Sequence, residues 1–189
     1  MFDLVYPADP APLMNVKSVR GNTEVLPVVE SNGLVIGRST RKACHGNPSL
    51  MHPVVHLHII DRFGKLYLQK RSRTKDLYPG YWDTAVGGHV TYGESLSEAL
   101  IREAAEELGL VDFNPVYLNS YSYMNDREHE LVNIFSTITG RRIEPDNDEV
   151  EEGRWWTEDE LLDAIGKNVL TPQFEAEYIK IKDTLAALL

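Results

Sequence analysis

Between Gly88 and Leu110 the chain carries Glu94, Arg102, Glu103, Glu106 and Glu107, the last four within a stretch of helical periodicity. Carboxylates three and four residues apart share one helical face, where like charges cost a few tenths of a kcal/mol per pair. On an arbitrary acidic helix such a cluster is a solvated face. Here a fixed pattern surrounds it, G-x5-E-x7-R-E-U-x-E-E-x-G-U with U apolar, met by Gly88, Glu94, Arg102, Glu103, Ala104, Glu106, Glu107, Gly109 and Leu110. At ordinary residue frequencies the match arises by chance in roughly one chain of this length in ten million. The helical period sets Glu103, Glu106 and Glu107 within about 100° of arc. That is an oxygen donor set of the kind magnesium takes, together with waters and substrate phosphates. A hydrolase of diphosphates must supply cations to bridge its substrate's oxygens, and a donor set of this kind would hold them. Arg102 stands four residues before Glu106 and is placed to orient it. Gly87 and Gly88 are expected to give close backbone approach and unusual dihedrals. Glu94 is expected to serve the helix head or the loop ahead of it.

These groups need a scaffold. The run "EVLPVVESNGLVIGRSTR" predicts a hairpin turning at Ser31, Asn32 and Gly33, and "HPVVHLHIIDRFGKLYLQKR" a second turning over Asp61 to Gly64. In "LYPGYWDTAVGG" a Pro-Gly turn precedes a short strand ending at the glycines. From about Ser95 to Leu108 the apolar residues recur at helical spacing, and Gly109 is placed to end the helix. Two long strands follow in "PVYLNSYSYM" and "HELVNIFSTITG", then a shorter one in "VEEGRWW". Thr157 with Glu160 is a capping-box signature, and Pro172 suits the first turn of a last helix reaching Leu189. The expectation is an α+β fold, an α/β/α sandwich with a mixed β-sheet. Residues 1–23, rich in Pro, Ala and Asp, read as an N-terminal arm, and residues 24–189 as one domain.

The formal net charge of −10 disfavours a nucleic-acid polymer as partner. One cysteine, Cys44, leaves no intrachain disulfide and suits the cytoplasm. Neither a run of about 18 apolar residues nor a secretion signal is read, so no membrane role is expected. A homodimer fits a soluble enzyme of this size.

The pattern from Gly88 to Leu110 resembles the Nudix box. The resemblance implies a Nudix hydrolase using Mg2+ or Mn2+, with Glu103, Glu106 and Glu107 and the carbonyl of Gly87 as metal ligands. It also implies a further glutamate beyond the box, as metal ligand or general base, for which Glu149 stands ahead of Glu151. Lys70, Arg71, Arg73 and Lys75 are candidates for phosphate binding. Tyr78, Tyr81, Trp82, Tyr121 and Tyr123 are available to stack on a base, or pack in the core.

"KACHGNPSLMHPVV", "LYLQKRS", "PGYWDTAVGGH" and "REHELVNIF" together resemble the isopentenyl-diphosphate isomerases, a Nudix-fold branch, over roughly residues 25 to 165. That resemblance implies a second metal site at His45, His52, His89, Glu128 and Glu130. His56 and His58 are read as structural. The isomerases place a catalytic cysteine where this chain has Gly87, and without a thiol the allylic proton transfer lacks one acid/base group. The expected function is therefore a divalent-metal-dependent diphosphohydrolase of small X-diphosphate-Y molecules. An isomerase of isoprenoid diphosphates is the alternative. A nonenzymatic nucleotide sensor is a third reading, opposed by the intact carboxylates.

Overall fold

The computed structural model describes residues 3–14, 24–74, 77–141, 143, 145 and 150–189. In chain order the elements are β1 (Val25–Val29), β2 (Val35–Thr40), α1 (Arg41–Cys44), β3 (Met51–Ile60), β4 (Leu66–Arg71), β5 (Trp82–Asp83), β6 (Val86–His89), α2 (Leu96–Leu108), β7 (Val116–Met124), β8 (His129–Ile138), β9 (Val150–Trp156), α3 (Glu158–Ala164) and α4 (Pro172–Ala186). β1 and β2 pair antiparallel as a separate ribbon, while seven strands form a sheet in the order β5-β4-β3-β8-β7, with β6 on β3 and β9 on β4. β3–β4, β4–β5 and β4–β9 are antiparallel. Bonds from Asn133 to Val54, Ser136 to His58 and Thr139 to Ile60 rise together along β8 and β3, so these two run parallel and the sheet is mixed. The fold is the expected α+β one.

The chain divides into two compact units. One takes residues up to Val55, Gly88–Leu100 and Asn119–Ile134. Its core gathers Leu26, Val28, Cys44 and Leu50 in one cluster and Ala11, Val29, Val35 and Leu131 in another. The N-terminal arm belongs here: Val5 bridges to Leu34 and Leu13 to Arg38, both parallel, and Ala11 is buried.

The second unit takes His56–Gly87, Ile101–Leu118 and Phe135–Leu189. Register Ile59↔Tyr67 and Gln69↔Asp83 puts Tyr67 and Gln69 on one face of the sheet and His56, His58 and Lys70 on the other. α2 reaches the first face through Glu107, and α4 reaches the second through Glu177. Helices thus cover both faces of this unit's sheet. Trp82 and Trp156 meet edge-to-face at 5.2 Å, and Trp82 exchanges backbone bonds with Val169 and Thr171, which seats the start of α4. Trp82 is accordingly core. On β9, Gly153 lies beside the buried Tyr67, where an added Cβ would collide with the Tyr67 hydroxyl.

Most boundaries fall within a residue or two of expectation, and three features differ. Thr40 caps an unexpected helical turn, α1, its side chain accepting from the Ala43 N–H. The two glycines lie inside β6 instead of ending a strand. Neither has a positive φ, and a Cβ at Gly87 would meet Thr84 and His56 at 3.6 and 3.7 Å, ordinary contact distances. The expectation of unusual dihedrals there is corrected: extended backbone within a strand needs none. Positive φ occurs instead at Gly93, at 99°, and at Gly109, at 63°, on either side of α2.

Candidate functional site

α2 presents its carboxylates in three environments. Arg102 Nη1 bonds Glu103 Oε1 at 2.8 Å and Glu106 Oε2 at 3.2 Å, so one guanidinium bridges two of them. The Glu106 side chain is 60 % exposed and that of Glu103 13 %, so the pair spans the helix surface from open to nearly covered. Glu107 is buried, and its Oε2 accepts from Gln69 Nε2 at 2.9 Å and from the Gly87 N–H at 3.4 Å. Gln69 fixes this carboxylate against the sheet, and no spacing rule marked it. Gly87 meets Glu107 through its N–H; a carbonyl role for it stays with the resemblance. Ahead of the helix, Glu94 Oε2 accepts from the Thr91 N–H at 2.9 Å while the Glu94 N–H returns to Thr91 O, so Glu94 holds the loop.

The cationic loop is engaged by acids. Lys70 Nζ lies 3.8 Å from both Glu151 and Glu152, and Arg73 Nε 3.5 Å from Glu151. Arg71 Nη1 bonds Asp83 at 3.2 Å and its Nε donates to Leu77 O at 3.1 Å. Asp83, which Arg71 bonds, is paired in register with Gln69, whose side chain holds Glu107, so Arg71 lies to the side of the sheet on which Glu107 sits. Among the described members of the basic set, Arg71 is aimed to the carboxylate side. Lys75 and Glu149 lie outside the described residues. Tyr78 and Tyr81 pack on each other at 5.6 Å, and Tyr121 and Tyr123 stand on β7.

The histidine set comes together within its own unit. His45 Nε2 and His89 Nε2 are 2.8 Å apart, and His45 Nε2 lies 3.6 Å from Glu128 Oε2. Among the described residues two groups of three have all their ligand atoms within 4.8 Å of one another: His45, His52 and His89, and His52, Glu128 and Glu130. Among the described residues the helix carboxylates form no such group; Arg102 bonds Glu103 and Glu106, and Gln69 bonds Glu107. His52 is wholly buried and its Nε2 has no hydrogen-bond partner among the described residues, while Nδ1 faces Leu50 O at 3.3 Å. Burial pushes its pKa down to about 4, against the opposing pull of that carbonyl. Burial also lowers the His45 pKa, with Glu128 working the other way. Imidazole nitrogens converging beside two carboxylates suit a divalent cation, so this donor set fits a metal.

His56 and His58 are held elsewhere. Glu177 of α4, fully buried, accepts from His56 Nδ1 at 3.0 Å and His58 Nε2 at 2.5 Å. Both imidazoles work against the effect of burial on Glu177 and hold its carboxyl well below the usual range. Their partner, Glu177, was not foreseen.

The sequence profile of the NUDIX domain matches residues 50–175. An isopentenyl-diphosphate Delta-isomerase from Brevibacterium linens is 30% identical over 148 residues, covering 75% of this chain and 81% of the relative. An uncharacterized Nudix hydrolase of Nostoc sp., all7351, is 31% identical over 148 residues, 76% of this chain and 86% of its own. Among solved structures, DR0079 from Deinococcus radiodurans superposes with a TM-score of 0.68 at 26% identity, covering 78% of this chain and 91% of that one. With its box helix, mixed sheet and profile match in agreement, the chain belongs to the Nudix hydrolase family, enzymes acting on diphosphate bonds.

Proposed function

We propose that the protein is a divalent-metal-dependent diphosphohydrolase that cleaves a small nucleoside-diphosphate-linked molecule, X-diphosphate-Y, by attack of water on phosphorus. The observation that carries this reading is Arg102 spanning Glu103 and Glu106 beside a Glu107 fixed by Gln69 and the Gly87 N–H. Glu103, Glu106 and Glu107, with the Gly87 carbonyl, would hold Mg2+ or Mn2+. When bound, such an ion would supply positive charge against the phosphate oxygens and activate water for attack. Arg102 orients two carboxylates without touching substrate. Arg71 supplies a cation for a phosphate oxygen, exchanging its Asp83 contact for it. The water oxygen bonds to one phosphorus, the bridging P–O bond breaks, and the departing phosphate leaves as an anion. Glu149 or Glu151 takes the water's proton; Glu151 would first separate from Lys70 and Arg73.

Glu106→Gln and Glu107→Gln should each lower metal-dependent turnover by about a hundredfold or more while far-ultraviolet circular dichroism stays that of the parent. Full activity in either would sink the ligand assignment. The assay is release of two phosphate products from ADP-ribose, nucleotide sugars and dinucleotides with Mg2+ or Mn2+.

A second reading has one observation in its favour, the assembled His45, His52, His89, Glu128 and Glu130 set. We propose that this set binds a second divalent ion. In an isomerase of isoprenoid diphosphates it would serve double-bond migration, for which Gly87 supplies no thiol. Isopentenyl diphosphate separates the two readings: hydrolysis releases phosphate, and isomerisation yields dimethylallyl diphosphate with none.

A further inference from the structure

The first turn of an α-helix leaves backbone N–H groups without partners inside the helix. At the head of α2, Ser95 Oγ accepts from the Glu98 N–H at 3.2 Å and Glu98 Oε2 accepts from the Ser95 N–H at 2.8 Å, a reciprocal cap. The Leu96 N–H is taken from much farther away. Asp3 Oδ1 accepts it at 3.0 Å across 93 residues of sequence and also accepts the Leu4 N–H at 2.8 Å. A carboxylate is thereby set at the positive end of this helix.

Three residues on, Tyr6 Oη accepts from the Gly93 N–H at 3.0 Å and donates to Glu94 O at 2.9 Å. It straddles the turn that leads into α2, a turn whose φ of 99° at Gly93 favours glycine. The arm that brings these two side chains is itself anchored. Val5 exchanges backbone bonds with Gly33 and Val35 at 2.9 Å, and the Ala11 N–H donates to Tyr92 Oη at 2.9 Å. The Tyr6 and Tyr92 rings meet edge-on at 5.5 Å.

We propose that the N-terminal arm is part of the catalytic apparatus, with Asp3 and Tyr6 acting as positioning residues that fix the head of α2 and so the aim of Glu103, Glu106 and Glu107. This rests on the reading of those glutamates as metal ligands. From Leu96 to Glu106 the helix advances about 15 Å. A swing of about 2° at its head moves the carboxylates by about half an ångström, the tolerance of a working constellation.

The test is Mn2+ affinity, read by electron paramagnetic resonance on the full chain and taken as the binding component that Glu106→Gln removes. Asp3→Ala should weaken that component about tenfold. Asp3→Asn, which keeps an acceptor oxygen, should restore most of it, and Tyr6→Phe should weaken it in the same direction. All variants are compared below their melting midpoints, so that lost stability does not enter. Parent affinity in Asp3→Ala, with only its melting midpoint lowered, overturns the arm's role. If Glu106→Gln removes no component, the ligand assignment fails and the arm's role with it.

Discussion

At the residue scale, Glu177 shows how a buried charge ties stability to pH. Its carboxyl titrates below the ordinary value of 4.5, because two imidazoles outweigh its burial. A group whose folded pKa is depressed adds stability that is complete above the unfolded pKa and lost as pH falls below it. Unfolding in urea across a pH series should therefore show stability dropping from about pH 4.5 downward, and Glu177→Gln should flatten that slope. At neutral pH the same variant should cost about 2 kcal/mol, the usual result of leaving buried hydrogen-bonding groups without their partner. An acid slope equal to the parent's would refute the assignment. None of this could be read from the sequence, where Glu177 is one of several acids in a helix and its partners lie 119 and 121 residues away. The box glutamates were legible because their spacing repeats a fixed pattern. Gln69 was not, since its role depends on which strand face α2 covers.

Elements were legible wherever local chemistry decides them. Thr157 and Glu160 form the capping box that their spacing foretold, and Thr171 accepts from the Phe174 N–H ahead of Pro172. Thr157→Ala should cost about 1 kcal/mol, seen as a lower urea midpoint with an unchanged slope. An unshifted midpoint would mean that α3 holds by its packing alone. The turn of α1 escaped because four residues carry too little periodicity to register. The arm was read as such, but its contacts escaped for a different reason: Asp3 and Tyr6 bond Leu96, Gly93 and Glu94, and such distant pairing leaves no pattern in an irregular, proline-rich run.

At the scale of the whole molecule, the −10 net charge and the two proposed sets of metal donors would make divalent ions a term in stability as well as in catalysis. An ion that binds only the folded chain stabilises it by about 2.7 kcal/mol at a hundred times its dissociation constant. Mg2+ or Mn2+ should thus raise the melting midpoint of the parent more than that of Glu103→Gln, as read by differential scanning calorimetry. Equal shifts in both would separate Glu103 from metal binding. Among the described residues no helix is long and apolar enough to cross a membrane.

The contact between Tyr67 and Gly153 carries a consequence for relatives of this chain. An alanine methyl at 153 would collide with the phenol ring as well as its oxygen, at 2.5 Å from Cζ and 3.1 Å from Cε1. The ring is itself confined by Trp155, 5.3 Å away. A side chain at 153 therefore requires either that the Tyr67 ring move or that the residue at 67 be smaller.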